Sequence, residues 1–410
     1  MSEHPFFFTW QAQRGAAPLV LERAEGVWLH TPEGRVLDLG SLTYQSNLGH
    51  GNPRVVEAVR RQAAELCEST PSAGYPAKGE LARALLDRAP PGFSKVFFCL
   101  GGSDANENAL KIARLVTGRY KALARYRSYH GATLGAAALS GDWRRAPIEP
   151  GPPGMIHVLD LDESLGDART QIPRVLALEE NVGAVFLEPV VGANGVLIPP
   201  PGYFAEVRAA CDAHGALLVC DEVLTGFGRT GRFFALEHQG VTPDLITCGK
   251  AITAGYGVLG AVLVHERVAR VFQDQVLVAG LTHYAHPLGV AAAREALAVY
   301  ADEGLPERAA GLEGTLRAGL EALMEAHGAA TGERTLGLLA ALDLDLDDQG
   351  RARFAAALRE EGVHAHLKGP RQLRRPGAAL VLSPPLTISE AELAEGFARI
   401  DRALGAVARA

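Results

Sequence analysis

Lysine is scarce in this chain of 410 residues: Lys78, Lys95, Lys111, Lys121, Lys250 and Lys368 are the whole set, and arginine supplies the rest of the 40 basic residues. No long basic block occurs and the net charge is −7, which argues against a nucleic-acid footprint or a patch for an anionic membrane. Long apolar runs are missing too, since none approaches the ~18 to 20 residues that cross a bilayer. The opening Met-Ser-Glu-His-Pro-Phe-Phe-Phe-Thr-Trp has no basic start and does not resemble a secretory signal. Cys67, Cys99, Cys211, Cys220 and Cys248 are odd in number, widely spaced and without a C-x-x-C pair, so reduced core thiols are expected rather than a disulfide framework. These absences leave a cytoplasmic enzyme or binding protein with small-molecule partners. The length predicts two or three domains, with roughly three quarters of the surface buried on folding.

What is present is an ordered alternation. Two apolar-alternating runs around Glu33-Gly34 predict a β-hairpin, and Pro53 opens a helix whose apolar face runs from Val55 to Leu66. A second helix is expected at 80–88. Short apolar runs at 96–100, 121–126, 155–159, 182–187, 216–220, 245–248 and 260–264 alternate with helical text, the pattern of an α/β domain with a mainly parallel sheet. Long helices follow over 287–327, then strands and helices of a smaller domain. The acidic run 343–348 lacks the central Gly and terminal Glu of a calcium loop and is read as a strand ending in a solvated turn.

Lys250 follows an apolar strand and precedes the small-residue loop Ala251-Ile-Thr-Ala-Gly-Tyr-Gly257. A lysine desolvated there loses its proton and becomes a nucleophile for aldehydes. Asp221 lies just beyond another apolar strand, where open α/β sheets bind ligands; such a carboxylate could keep the ring nitrogen of a pyridine cofactor protonated. Gly101-Gly102-Ser103 joins a strand to a helix start, a turn whose free N–H groups suit a phosphate. It lacks the spacing and lysine of a Walker loop. Gly226-Phe-Gly-Arg-Thr-Gly231 matches the dinucleotide fingerprint in letters only, because no helix is expected after it. The pairs His283/His286 and His364/His366 lack a third ligand at a zinc spacing, and no metal is expected.

Taken in order, these signals resemble the class III pyridoxal-phosphate aminotransferases of fold type I, almost end to end. The blocks that carry the likeness run from Phe186 to Tyr203, from Cys220 to Gly231 and from Pro243 to Lys250. The resemblance implies a large domain over 46–298 with a mainly parallel seven-stranded sheet, and a smaller α+β domain from 1–45 and 299–410. It implies pyridoxal 5'-phosphate as cofactor, with Lys250 as the Schiff-base lysine and Asp221 as the partner of the ring nitrogen. Val223 and Tyr129 would pack on the two ring faces, Gly102 and Ser103 would take the phosphate, and Glu188 belongs to the same cofactor-binding set. Thr282 resembles a threonine that reaches the phosphate of a neighbouring subunit, which implies a homodimer or larger homo-oligomer with shared sites.

The implied reaction moves an amino group from an amine or ω-amino acid to a keto acid, pyruvate foremost, by a ping-pong route. Acetylornithine and ornithine types carry an arginine where this chain has Val381. The ω-amine:pyruvate types have a mobile arginine where Arg374 falls, beside Arg375, and an aromatic gate at the position of Tyr44. A racemase, an aminomutase or a decarboxylating transaminase would keep the same cofactor residues, and a cofactor-binding protein without turnover is the remaining alternative.

Overall fold

In the computed structural model, residues 5–15, 18–149, 151–159, 161, 166–373 and 375–408 are described. The N-terminal strands β1 (Arg23–Glu25), β2 (Trp28–Thr31) and β3 (Gly34–Asp38) form the expected hairpin around Glu33-Gly34. Gly34 turns it with φ +132°, a conformation that side chains rarely adopt. The helices follow the sequence pattern with shifted ends: Pro53–Glu65 is capped by Asn52, while the helix expected at 80–88 spans Pro76–Leu86 because Pro76 supplies a ready-made first turn.

The strands β4 (Phe93–Cys99), β5 (Lys121–Arg125), β6 (Met155–Val158), β7 (Val182–Leu187), β8 (Leu217–Asp221), β9 (Leu245–Cys248) and β10 (Gly260–His265) make a seven-stranded sheet in the order β4-β10-β9-β8-β7-β5-β6. Only β10 runs against its neighbours. All six residues of β7 are buried, as a strand covered on both faces requires. Alternate residues serve the two faces: Leu123, Val185, Leu218, Ile246 and Leu263 join one core, and Ala122, Ala184, Val219, Leu245 and Val262 the other. Each large apolar side chain so buried contributes about 1.5–3 kcal/mol.

Because β4, β5, β7, β8 and β9 point the same way, the segments after them meet at one edge of the sheet. That edge collects Gly102, Tyr129, Glu188, Asp221 and Lys250.

The C-terminal half adds β11 (Ala330–Leu336), β12 (Leu339–Leu344), β13 (Val363–His364), β14 (His366–Lys368) and β15 (Ala378–Leu382). A four-stranded antiparallel sheet has the order β11-β12-β15-β14, while β13 pairs with β3 and ties the two ends of the chain into one sheet. The acidic run is the end of β12 followed by a turn in which Asp347 caps the helix Asp348–Glu360. Gly226 to Gly231 continues as turns, with Gly228 and Gly231 left-handed and no helix opening there. Four cysteines are buried and free, but Cys67 is exposed, contrary to the expectation of a core thiol. It sits in the polar stretch after the helix Pro53–Glu65 has ended. Among the described residues no helix is long and apolar enough to cross a membrane.

Candidate active site

Three segments are pressed together where β4, β8 and β9 end. A Cβ on Gly102 would lie 2.3 Å from Val223 Cγ1, and one on Gly249 would lie 2.8 Å from the Gly102 nitrogen. The glycines therefore let the helix Gly102–Thr117, the Asp221 segment and the Lys250 segment approach backbone to backbone. The first hydrogen bond of that helix runs from Ala105 N–H to the Gly101 carbonyl, so the N–H groups of Gly102 and Ser103 precede the ladder and face outward at its positive end. Ser103 Oγ accepts from the N–H groups of Ala132 (2.9 Å) and Thr133 (3.0 Å), which locks the turn after Tyr129 against the helix start.

Lys250 opens a short turn directly after Gly249, with φ +44°. A side chain in the left-handed region stores strain of order 1–3 kcal/mol, which the packed surroundings hold in place. Protein around the ammonium lowers the Lys250 pKa by desolvation. Asp221 and Glu188 act against that shift, and Arg144 adds to it. The neutral amine is thereby favoured over that of an exposed lysine.

Asp221 is buried and wired. Its Oδ2 accepts from Asn106 Nδ2 (2.7 Å) and from His130 Nδ1 (2.8 Å), and its Oδ1 accepts from Val223 N–H (3.0 Å). Of the roughly four lone-pair positions on a carboxylate, three are used and one on Oδ1 remains. Asn106 is itself fixed, accepting from Thr247 Oγ1 at 2.8 Å and donating to the His130 carbonyl at 2.7 Å. Glu188 is also buried, and its two oxygens accept from Tyr129 N–H (3.2 Å) and Gly192 N–H (3.0 Å). Burial, the largest influence, raises its pKa. The Tyr129 ring is covered on one side by the Arg144 guanidinium, whose Cζ is 3.6 Å from the ring centroid.

Across the cleft stands Tyr44, in a strained turn with φ +68°. Its ring stacks on His366 at 4.1 Å, and both Lys250 Nζ (5.9 Å) and Lys368 Nζ (5.5 Å) lie over it. It is 5% exposed and forms part of the wall beside Lys250. Arg374 lies outside the described residues. Arg375 is engaged with Asp343 (2.6 Å), which Arg334 also binds. Thr282 lies exposed on the turn before the helix Pro287–Asp302, apart from the hydrogen-bonded cluster of this single chain. The structure thus brings together Lys250, Asp221, Gly102, Ser103, Tyr129, Glu188, Val223 and Tyr44.

Sequence reasoning missed Asn106, Thr247, Arg144 and Lys368, and took His130 only as part of a turn. A buried Asn one helical turn beyond the glycines was the available sign for Asn106. Lysine scarcity was the sign for Lys368.

Comparison with known proteins places this geometry. The family model described as Aminotransferase class-III matches residues 10–404. An omega-aminotransferase of Caulobacter vibrioides is 34% identical over 95% of this chain and 94% of its own length. An acetylornithine aminotransferase of Mycobacterium bovis is 37% identical over 97% and 96%. The structure of a taurine:2-oxoglutarate aminotransferase from Bifidobacterium kashiwanohense, in complex with PLP and glutamate, superimposes with a TM-score of 0.90 at 36% identity, covering 97% of this chain and 95% of that one. A glycine-lined helix start, a wired carboxylate and a desolvated lysine at one sheet edge therefore have a shared origin: the chain belongs to the class III aminotransferases, enzymes of the fold type I architecture that use pyridoxal 5'-phosphate.

Proposed function

We propose that this aminotransferase takes the amino group of a primary amine or ω-amino acid and delivers it to a keto acid, pyruvate foremost, in two half-reactions of a ping-pong cycle. The observation that carries the reading is the desolvated Lys250 placed beside a carboxylate already satisfied on three sides. The residues fit pyridoxal phosphate: the glycine cradle at Gly102 and Gly249 leaves room that a Cβ would fill, and the donor set matches an aldehyde, a ring nitrogen and a phosphate.

When bound, the cofactor supplies an aldehyde that receives the amino group and a ring that draws electrons from the substrate carbon. Lys250 Nζ would hold the aldehyde carbon between turnovers. Once released by the donor amine, it would take the proton from the donor's carbon and return one in the reverse half-reaction. The open lone pair on Asp221 Oδ1 would accept the ring N–H; at ~4 Å and an effective dielectric of ~20 that attraction is about 4 kcal/mol. Val223 and Tyr129 would enclose the ring, and Glu188 would hold the Tyr129 backbone in place. Gly102 and Ser103 would bind the phosphate with the helix N-terminus, and Thr282 would reach it from a second copy, making the working unit at least a cytoplasmic homodimer. The sheets support a division into 46–298 and a smaller unit from 1–45 and 299–410. Val381, buried between His366 and Ala341 in its sheet, disfavours acetylornithine as donor.

The test is spectroscopic. Holoenzyme mixed with amines or ω-amino acids, without keto acid, should lose its cofactor absorption band and gain a pyridoxamine spectrum, and pyruvate should restore the band. Lys250→Ala should abolish the exchange by at least ~10³-fold while still binding the cofactor. A band that no donor bleaches, or a single amino acid racemised without a new carbonyl product, would overturn the reading.

A further inference from the structure

The donor side of the cleft carries an excess of positive charge, Lys368 and Arg144 against the single carboxylate of Asp142. Lys368, at the end of β14, points its Nζ over the Tyr44 ring, the same ring that lies under Lys250 Nζ. Among the described residues Lys368 makes no ion pair. Arg144 bonds Asp142 through Nε (2.9 Å) and Nη2, which leaves Nη1 without a partner among the described residues. The Tyr44 hydroxyl is buried with no hydrogen-bond partner at all among the described residues. Lys368 and the Tyr44 ring therefore lie close to Lys250, and Arg144 acts electrostatically on both lysines.

The cation–π contact is too small to explain the lysine. Such a contact is worth about 0.5–2 kcal/mol, whereas an enclosed ammonium costs several kcal/mol in lost hydration. Desolvation accordingly pulls the Lys368 pKa down to about 8, with Arg144 and Lys250 adding to the shift and Asp142 opposing it. Asp142, already bonded to Arg144, offsets this only in part, and an anion from outside the chain would supply the remaining counter-charge. Both lysine nitrogens address one ring, so a donor whose two ends meet both of them is a short one.

We propose that Lys368, with Arg144 and the Tyr44 hydroxyl, forms the subsite for the acid group, carboxylate or sulfonate, of a short ω-amino donor. The proposal rests on the aminotransferase reading above and adds the residues that select an acid-bearing donor over a neutral amine. In the half-reaction the donor's nitrogen faces Lys250 and its acid group faces Lys368. Arg375 is already held by Asp343.

The experiment uses holoenzyme and follows bleaching of the cofactor band by β-alanine, by taurine and by propylamine, a neutral amine of similar length. Wild type should prefer the acid donors. In Lys368→Met that preference should drop about 10- to 100-fold, chiefly through KM, the size expected for losing a hydrogen bond to a charged group. Lys368→Arg should restore most of it, and Arg144→Gln should give a smaller drop of the same kind. Whether β-alanine or taurine suffers more tells carboxylate from sulfonate.

An unchanged preference in Lys368→Met would overturn the subsite while leaving the aminotransferase reading intact, as would an equal loss for acid and neutral donors. If wild-type enzyme responds to none of the three donors, the subsite and the donor class fail together. Wild-type protein offers a check free of folding effects: propionate and methanesulfonate should slow the propylamine reaction competitively, and no inhibition by either would count against the subsite.

Discussion

The two sides of the cleft are built on opposite plans. On the cofactor side the carboxylates are held by many bonds: Asp221 accepts three hydrogen bonds, Asn106 makes three, and Glu188 is held by two backbone N–H groups, with His130 Nε2 and one Asp221 lone pair left open among the described residues. On the donor side, among the described residues, Lys368 lacks an ion-pair partner and the Tyr44 hydroxyl lacks a hydrogen-bond partner. A group that stays through every turnover rewards a fixed, low-entropy environment, because reorganisation would be needed at each step. A substrate that comes and goes must find groups whose bonding capacity is still free. Unsatisfied donors raise the energy of the empty site and are quieted only by the right ligand.

Breaking the wired side should cost most. Asp221→Asn keeps the shape but removes the charge proposed to hold the ring N–H. An attraction of about 4 kcal/mol corresponds to ~10³ in rate. We expect kcat/KM to fall by ~10²–10³ for acid and neutral donors alike, read in the same band-bleaching assay. A loss confined to acid donors would erase the distinction between the two sides. Gly102→Ala comes next. Its Cβ would meet Val223 Cγ1 at 2.3 Å and should lower stability by ~1–3 kcal/mol and weaken cofactor retention. Adding Val223→Ala should recover part of the stability, since the pair shares one contact. Thermal unfolding of the four proteins in that cycle gives the coupling, and strict additivity would disprove the clash.

The wired side was also the legible one. Asp221, Lys250 and Gly102 each follow a short apolar run, and parallel strands deliver the residues after them to a common edge, so a linear reading locates them. The sheet itself was visible for the same reason: each run is short, apolar and bounded, and 182–187 and 245–248 were read with their observed limits. His130, Asn106 and Thr247 were not visible as a network, because each lies on a different element and only the closed fold brings their atoms to Asp221. The donor side was harder still. Tyr44, Arg144, His366 and Lys368 come from a strained turn, a loop and an edge strand, and share no period. The arginine pair attracted attention by its place in the chain, yet Arg375 is committed to Asp343. Lysine scarcity, which singled out Lys250, applies equally to Lys368.

The donor side can be sharpened by pH. Lys368 faces Arg144, Asp142 and Lys250, with Tyr44 and His366 packed beside it, and its pKa is drawn down to about 8. Below that value it is an ammonium and binds an anion; above it the charge is lost. For β-alanine, kcat/KM relative to that for propylamine should therefore decline as pH rises through about 8, by at most tenfold per unit and less while Arg144 stays charged. A flat ratio from pH 7 to 9.5 would mean that Lys368 does not meet the donor. Acid binding should raise the Lys368 pKa, because an anion favours the charged form, so saturation with donor should move the decline to higher pH.

The smallest effect is the most discriminating. Removing a satisfied buried hydroxyl costs ~0.5–1.5 kcal/mol, but removing one with no partner relieves an uncompensated burial. Tyr44→Phe keeps the ring over which both lysines lie and deletes only the oxygen. The apo-form of this variant should match or exceed wild type in thermal stability, within about 0.5 kcal/mol, because nothing in the chain loses a bond. Its KM for β-alanine should rise a few-fold while that for propylamine stays put. The opposite pattern, a clear loss of stability with unchanged KM for both donors, would show that the hydroxyl serves the fold and that the donor side is as closed as the cofactor side.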